Sequence, residues 1–164
     1  MAIAPLSAGC LGGGGGNGGD EDDDDVEDDR TPTEIAVDWV TASVTDAGHP
    51  GAANVDGADD IQDRTGQSET TVTNGGRVDG KFVFEPAIIR IDSGTTVTWQ
   101  WISGPHTVTP LAELGATITD WNGTGETTHG EGFSHSESFE TTGVVLYYCI
   151  PHLSQGQTGA ILVE

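Results

Sequence analysis

The chain has 164 residues, with 27 acidic and 5 basic side chains and a formal charge of -22. Such a surface repels phosphate backbones and anionic lipid headgroups, which argues against nucleic-acid binding and against electrostatic docking to a membrane. The length suits one domain of ordinary size with a single core, plus a tail.

Residues 1–10 end in Ala8-Gly9-Cys10, small residues ahead of a cysteine, and resemble the lipobox of lipoprotein precursors. The resemblance implies a cut before Cys10 and lipid attachment to it, although the segment lacks the basic start and long apolar stretch of a full signal. No apolar run reaches the roughly 18 residues of a membrane span. A disulfide between Cys10 and Cys149 is disfavoured, because glycine-rich sequence around Cys10 supplies no packed neighbour to hold the geometry.

Residues 11–30 are a glycine run followed by an acidic block, with nine carboxylates between Asp20 and Asp29. Neither composition can bury enough apolar area to offset ordering entropy, so the segment reads as an extended tether. It lacks the alternating ligand spacing of a calcium loop. The acidity continues beyond it: residues 31–164 hold eighteen carboxylates against Arg64, Arg77, Lys81 and Arg90. A charge of that density suits high ionic strength, where the screening length falls to about 3 Å at 1 M salt.

The domain is expected over 31–164, with its core over 68–164. In 33–44, Ala36, Val40 and Val44 fall four apart beside Ile35 and Trp39, after a Thr-Pro-Thr-Glu start, which predicts a short packing helix. Residues 45–67 read as a long polar loop. The period then changes to two, predicting strands at 69–73, 81–84, 88–91, 95–101, 106–109, 135–139, 144–149 and 160–163. These eight short strands make an all-β sandwich. Alternation in 144–149 puts Val145, Tyr147 and Cys149 on one face, delivering Cys149 inward if that face is the core. Residues 110–132 form a long loop whose Trp121 is either a partner contact or a lid packed on the sandwich.

The chemistry concentrates after the penultimate strand. Cys149, His152 and Gln157 fall within nine residues, on a segment broken by Pro151. Thiolate and imidazole suit copper, zinc or iron, and one Cys with two His and a weak fourth ligand is the set of a blue-copper site. His106, at the end of a strand upstream, supplies the second imidazole. His49, His129 and His135 have no comparable spacing and are expected to be structural or exposed.

These residues form part of a longer signature. Phe84-Glu85-Pro86 comes first, then Ile91 to Trp99 with Gly94 at the turn, then His106. Phe139, Gly143, Tyr147-Tyr148-Cys149, Pro151-His152 and Gly159 complete it. In this order they resemble the cupredoxins, and within them the halocyanins, blue-copper lipoproteins of salt-adapted archaea. The resemblance implies Greek-key connectivity and one copper ion cycling between Cu(II) and Cu(I). It also makes Gln157, standing where methionine is usual, the axial ligand through its amide oxygen. Thr107 replaces the usual asparagine after the first histidine, and its backbone N–H is expected to donate to the Cys149 thiolate. Electrons are expected to enter at His152, within an apolar rim of Ile150, Pro151 and Leu153.

The expected function is one-electron transfer to redox proteins of a membrane chain, by a monomer lipid-anchored through Cys10 on the outer face of the cell membrane. Copper delivery or storage with the same ligands is the alternative, and a metal-free sandwich the third. The chain shows neither a second histidine cluster nor a nucleophile with a paired base, so no enzyme is expected.

Overall fold

The computed structural model describes residues 28–164. Cys10 and nearly all of the expected tether lie outside the described residues. The first element among the described residues is α1 (Pro32–Thr41). Its N-terminus is a capping box: Thr31 Oγ1 accepts from the Glu34 N–H at 3.2 Å, and the Glu34 carboxylate accepts from the Thr31 N–H at 2.8 Å. The helix stops short of the expected 44 because Ala42 turns left-handed at φ 59°, and the Ser43 N–H caps the Asp38 carbonyl at 2.9 Å.

Nine strands follow, in two sheets. They are β1 (Gln62–Asp63), β2 (Glu69–Val78), β3 (Lys81–Glu85), β4 (Ile88–Ile91), β5 (Thr95–Trp101), β6 (Thr109–Leu111), β7 (Ser134–Phe139), β8 (Gly143–Tyr148) and β9 (Thr158–Val163). One sheet runs β1-β4-β9-β8-β6 and the other β3-β2-β5-β7. Parallel pairs β4/β9 and β2/β5 sit among antiparallel ones.

Between the sheets pack Val72, Phe84, Ile89, Ile91, Val97, Trp99, Val145, Tyr147, Cys149 and Ile161. The alternation in β8 thus delivers Cys149 to the inter-sheet core. The other face of β8 and β9 is buried too: Val144, Leu146, Ala160 and Leu162 lie against Ile35, Ala36, Trp39 and Val40 of α1. Hence the described residues form two apolar clusters, one on each side of the five-stranded sheet, rather than the single core expected. Covering both faces explains why these two strands are nearly continuous apolar runs. Trp39 Nε1 ties the helix down by donating to the Tyr147 carbonyl at 3.2 Å.

Three local differences separate the fold from the sequence expectation, and the last two bear on the site. The ninth strand, β1, is a two-residue edge in the segment read as loop. The expected strand at 106–109 begins only at Thr109, since His106 makes an isolated bridge to His129 while its side chain turns inward. Finally, β2 runs on to Val78 across a bulge between Asn74 and Gly76. Gly75 takes φ 97° there, and a Cβ on it would lie 2.6 Å from His106 Nε2. Only glycine fits both the backbone angle and the approach of the imidazole.

Candidate metal centre

Three elements converge at one end of the sandwich. The loop after β5 carries His106, the residue after β8 is Cys149, and a 3-10 helix (Ile150–Gln155) carries His152. The Cys149–Gln157 loop closes on its own backbone. Cys149 N–H donates to the Gln157 carbonyl at 3.0 Å, His152 N–H to the Cys149 carbonyl at 3.1 Å, and Gln157 N–H to the His152 carbonyl at 3.2 Å. Pro151 stands in the first turn of the 3-10 helix with its fixed φ, and Gly156 ends it at φ 87°.

The donor atoms lie close together. Cys149 Sγ is 3.6 Å from His106 Nδ1 and 3.4 Å from His152 Nδ1, and the two Nδ1 atoms are 3.0 Å apart. Gln157 Oε1 stands 3.1 Å from His106 Nδ1. Among the described residues this is where three Cys, His or carboxylate donors gather, with His106 and Cys149 buried and His152 half-buried.

The tautomer of His106 follows from its neighbour. Ser103 Oγ gives its one hydrogen to the Gly75 carbonyl at 2.8 Å, and stands 3.0 Å from His106 Nε2. Toward the ring it acts as acceptor, so Nε2 carries the proton and Nδ1 presents its lone pair. Nδ1 therefore faces a second imidazole nitrogen, a sulfur and an amide oxygen, each of which has a lone pair to offer an ion. A cation among them reconciles the four. A trigonal ion with bonds of about 2.0–2.3 Å spaces nitrogen and sulfur donors about 3.5–3.7 Å apart. The observed edges of 3.0, 3.4 and 3.6 Å match this with some contraction between the histidines. The donor set fits copper.

Burial sets the protonation states. It pushes the His106 imidazole down to about 4, helped by neighbouring His152, and lowers His152 as well. Both rings are accordingly neutral at pH 7. The Cys149 thiol is pushed up by burial, against the pull of hydrogen bonds that include the Thr107 N–H at 3.4 Å. A metal held by Cys149 as thiolate would release the thiol proton on binding.

The residues read from the sequence are distributed as follows. His106, Cys149, His152 and Gln157 are brought together. Thr107 is buried and joins the ligand loops: besides its N–H to Sγ, its Oγ1 accepts from the Ile150 N–H at 2.9 Å. Ile150 and Pro151 are exposed beside His152, whereas Leu153 is half-buried against the cluster beneath α1. Trp121 is a lid, stacked on Trp99 at 5.6 Å and buried. His129 stacks on Phe133 at 3.6 Å, and His49 meets Trp39 edge-on. His135 has a carboxylate partner that its spacing did not suggest, Glu137 Oε1 at 2.9 Å.

Four contributors escaped the sequence reading. Ser103 orients His106, Asn74 accepts from the Gln157 amide at 2.8 Å, and Phe82 covers both histidines with centroid distances of 4.6 and 4.4 Å. Arg77 caps the Phe82 ring at 3.7 Å. The one local signal was Gly75-Gly76, a pair that marks a bulge inside a strand.

Comparison with known proteins agrees with this geometry. Residues 69–164 match the model of the copper binding proteins, plastocyanin/azurin family. Halocyanin from Natronomonas pharaonis is 43% identical over 107 residues, 64% of this chain and 62% of the relative. Chloroplastic plastocyanin from Tetradesmus obliquus is 32% identical over 88 residues, 52% of this chain and 61% of the relative. The chain thus spans about three fifths of the length of these two relatives. The oxidised plastocyanin structure from Dryopteris crassirhizoma shares the fold, with a TM-score of 0.51 at 24% identity, covering 58% of this chain and 100% of that one. Family and donor set together assign one copper ion as the cofactor. The chain belongs to the plastocyanin/azurin family of copper-binding proteins.

Proposed function

We propose that the chain is a one-electron carrier, with His106, Cys149 and His152 as the strong ligands of its copper and the Gln157 amide oxygen as a weak axial one. Copper bound there supplies a reversible Cu(II)/Cu(I) couple. The observation that carries the reading is a closed donor set with one lightly covered edge. Ser103 fixes the lone pair of His106 beforehand, the Thr107 Oγ1 contact to Ile150 joins the two ligand loops, and the Phe82 ring packs on both imidazoles. A site held in this way keeps its donors in place when the charge on the ion changes.

Electrons pass at the half-buried His152, between exposed Ile150 and Pro151 and beside Phe82. A small apolar patch on an acidic surface suits brief contacts with redox proteins. The acidity of the domain supports work at high salt. The segment ending at Cys10 and the glycine- and aspartate-rich stretch after it support a carrier tethered by lipid to the outer face of a membrane; no helix among the described residues is long and apolar enough to cross one.

Voltammetry of the copper-loaded protein in high salt, with chelator competition beside it, tests the carrier reading. It predicts a reversible one-electron wave and slow loss of copper to chelator. An irreversible wave with rapid copper loss would favour delivery of the ion instead.

A further inference from the structure

A glutamine amide has two ends of similar size, one an acceptor and one a double donor, so what a copper ion meets at Gln157 depends on which way that amide is turned. We infer that Asn74 is a positioning residue that turns the Gln157 oxygen toward the copper and thereby sets the axial donor. The inference rests on the reading of Gln157 as that donor.

The orientation follows from a chain of bonds whose directions are fixed at both ends. The Thr107 carbonyl can only accept, and it lies 3.4 Å from Asn74 Nδ2. This holds the Asn74 amide with its NH2 toward Thr107 and its oxygen toward Gln157. Asn74 Oδ1 in turn can only accept, at 2.8 Å from the Gln157 amide, so the end it meets is Nε2. The Val83 carbonyl, a second obligate acceptor, stands 3.5 Å from the same nitrogen. Oε1 is left facing His106 Nδ1 at 3.1 Å.

Asn74, Val83, Thr107 and Gln157 have 0% exposure, so water cannot substitute for any of these bonds. Asn74 also breaks the pattern of its strand: it is a fully buried amide two residues after Val72 on β2, just ahead of the Gly75 bulge. A polar side chain there is unfavourable unless hydrogen-bonded, and the partners it finds are the ligand-bearing loop and the axial amide. With Asn74 in place the ion meets a hard oxygen, which favours its oxidised form. Were the amide free to turn, its NH2 would face the ion and the axial donor would be lost.

The test uses the full chain with Asn74→Leu, Gln157→Met and the double variant Asn74→Leu/Gln157→Met. Reduction potential and visible spectrum are read on the Cu(II) form, and side-chain amide exchange by NMR on the diamagnetic Cu(I) form. We expect Gln157→Met and Asn74→Leu each to raise the potential, and Asn74→Leu to add no further shift in the Gln157→Met background. In the parent Cu(I) protein the Gln157 amide protons should exchange far more slowly than those of exposed Gln67, a measurement that holds even if Asn74→Leu does not fold. Equal shifts from Asn74→Leu in both backgrounds, or free exchange at Gln157, would overturn the positioning role while leaving the axial reading intact. An unchanged potential and spectrum in Gln157→Met would overturn the axial reading and the inference with it.

Discussion

Acid should weaken the apo-protein well before its carboxylates protonate. His106 has 0% exposure, and burial holds its imidazole at about 4, against an ordinary value of 6.5. The unfolded chain takes up this proton first, so it binds more protons than the folded state between those values, and stability falls as pH falls through that window. The full gap is worth about 3 kcal/mol at about 1.4 kcal/mol per pH unit, of which about 2 kcal/mol has gone by about pH 5. His152, also lowered by burial, adds in the same direction. A domain of this kind has about 5–15 kcal/mol in total. Urea denaturation of the apo-protein at constant high salt, between about pH 7.5 and about pH 5, reads the loss as a midpoint lower by about 1 M. The paired carboxylates Asp28, Glu34 and Asp63 are held below their ordinary range, so their own loss of stability comes at lower pH and stays out of this window. His106→Gln should remove most of the slope. A flat profile in the parent, or the same slope in the variant, would refute the argument.

Thr107→Val strands the Ile150 N–H and is expected to destabilise the apo-protein by about 1–2 kcal/mol, read as a lower urea midpoint; Thr107→Ser should retain most of the stability. Phe82→Ala uncovers both imidazoles, so copper should pass to a competing chelator faster than from the parent, with stopped-flow loss rates as the check. Gly159→Ala drives a methyl into the Tyr147 ring in the inter-sheet core, and thermal denaturation should show a loss of about 1–3 kcal/mol.

Much of the fold was legible because its cues are local. The Thr31 to Glu34 capping box and the alternation of Val145, Tyr147 and Cys149 are written in neighbouring residues, and the structure follows both. Burial on the outer face of β8 was harder to read, since a continuous apolar run does not say which layer covers each side. The convergence of His106 with Cys149, His152 and Gln157 was readable from residue type and loop spacing together with the family resemblance. Their supports were not. Asn74 and Ser103 reach the site across a bulge and a loop, and Phe82 and Arg77 arrive from a hairpin that passes over it. Nothing in a strand of threonines and valines announces that one buried asparagine will orient an amide 83 positions away. Thr107 illustrates the converse: where the resemblance led to asparagine, a hydroxyl makes the link between the two ligand loops.

The most direct test of the copper site is a copper(II) titration of the apo-protein in high salt, followed in the visible range beside Cys149→Ser. An intense thiolate-to-copper band that saturates at one ion per chain and vanishes in the variant is the predicted result. Binding without that band, or an identical spectrum from Cys149→Ser, would contradict the account.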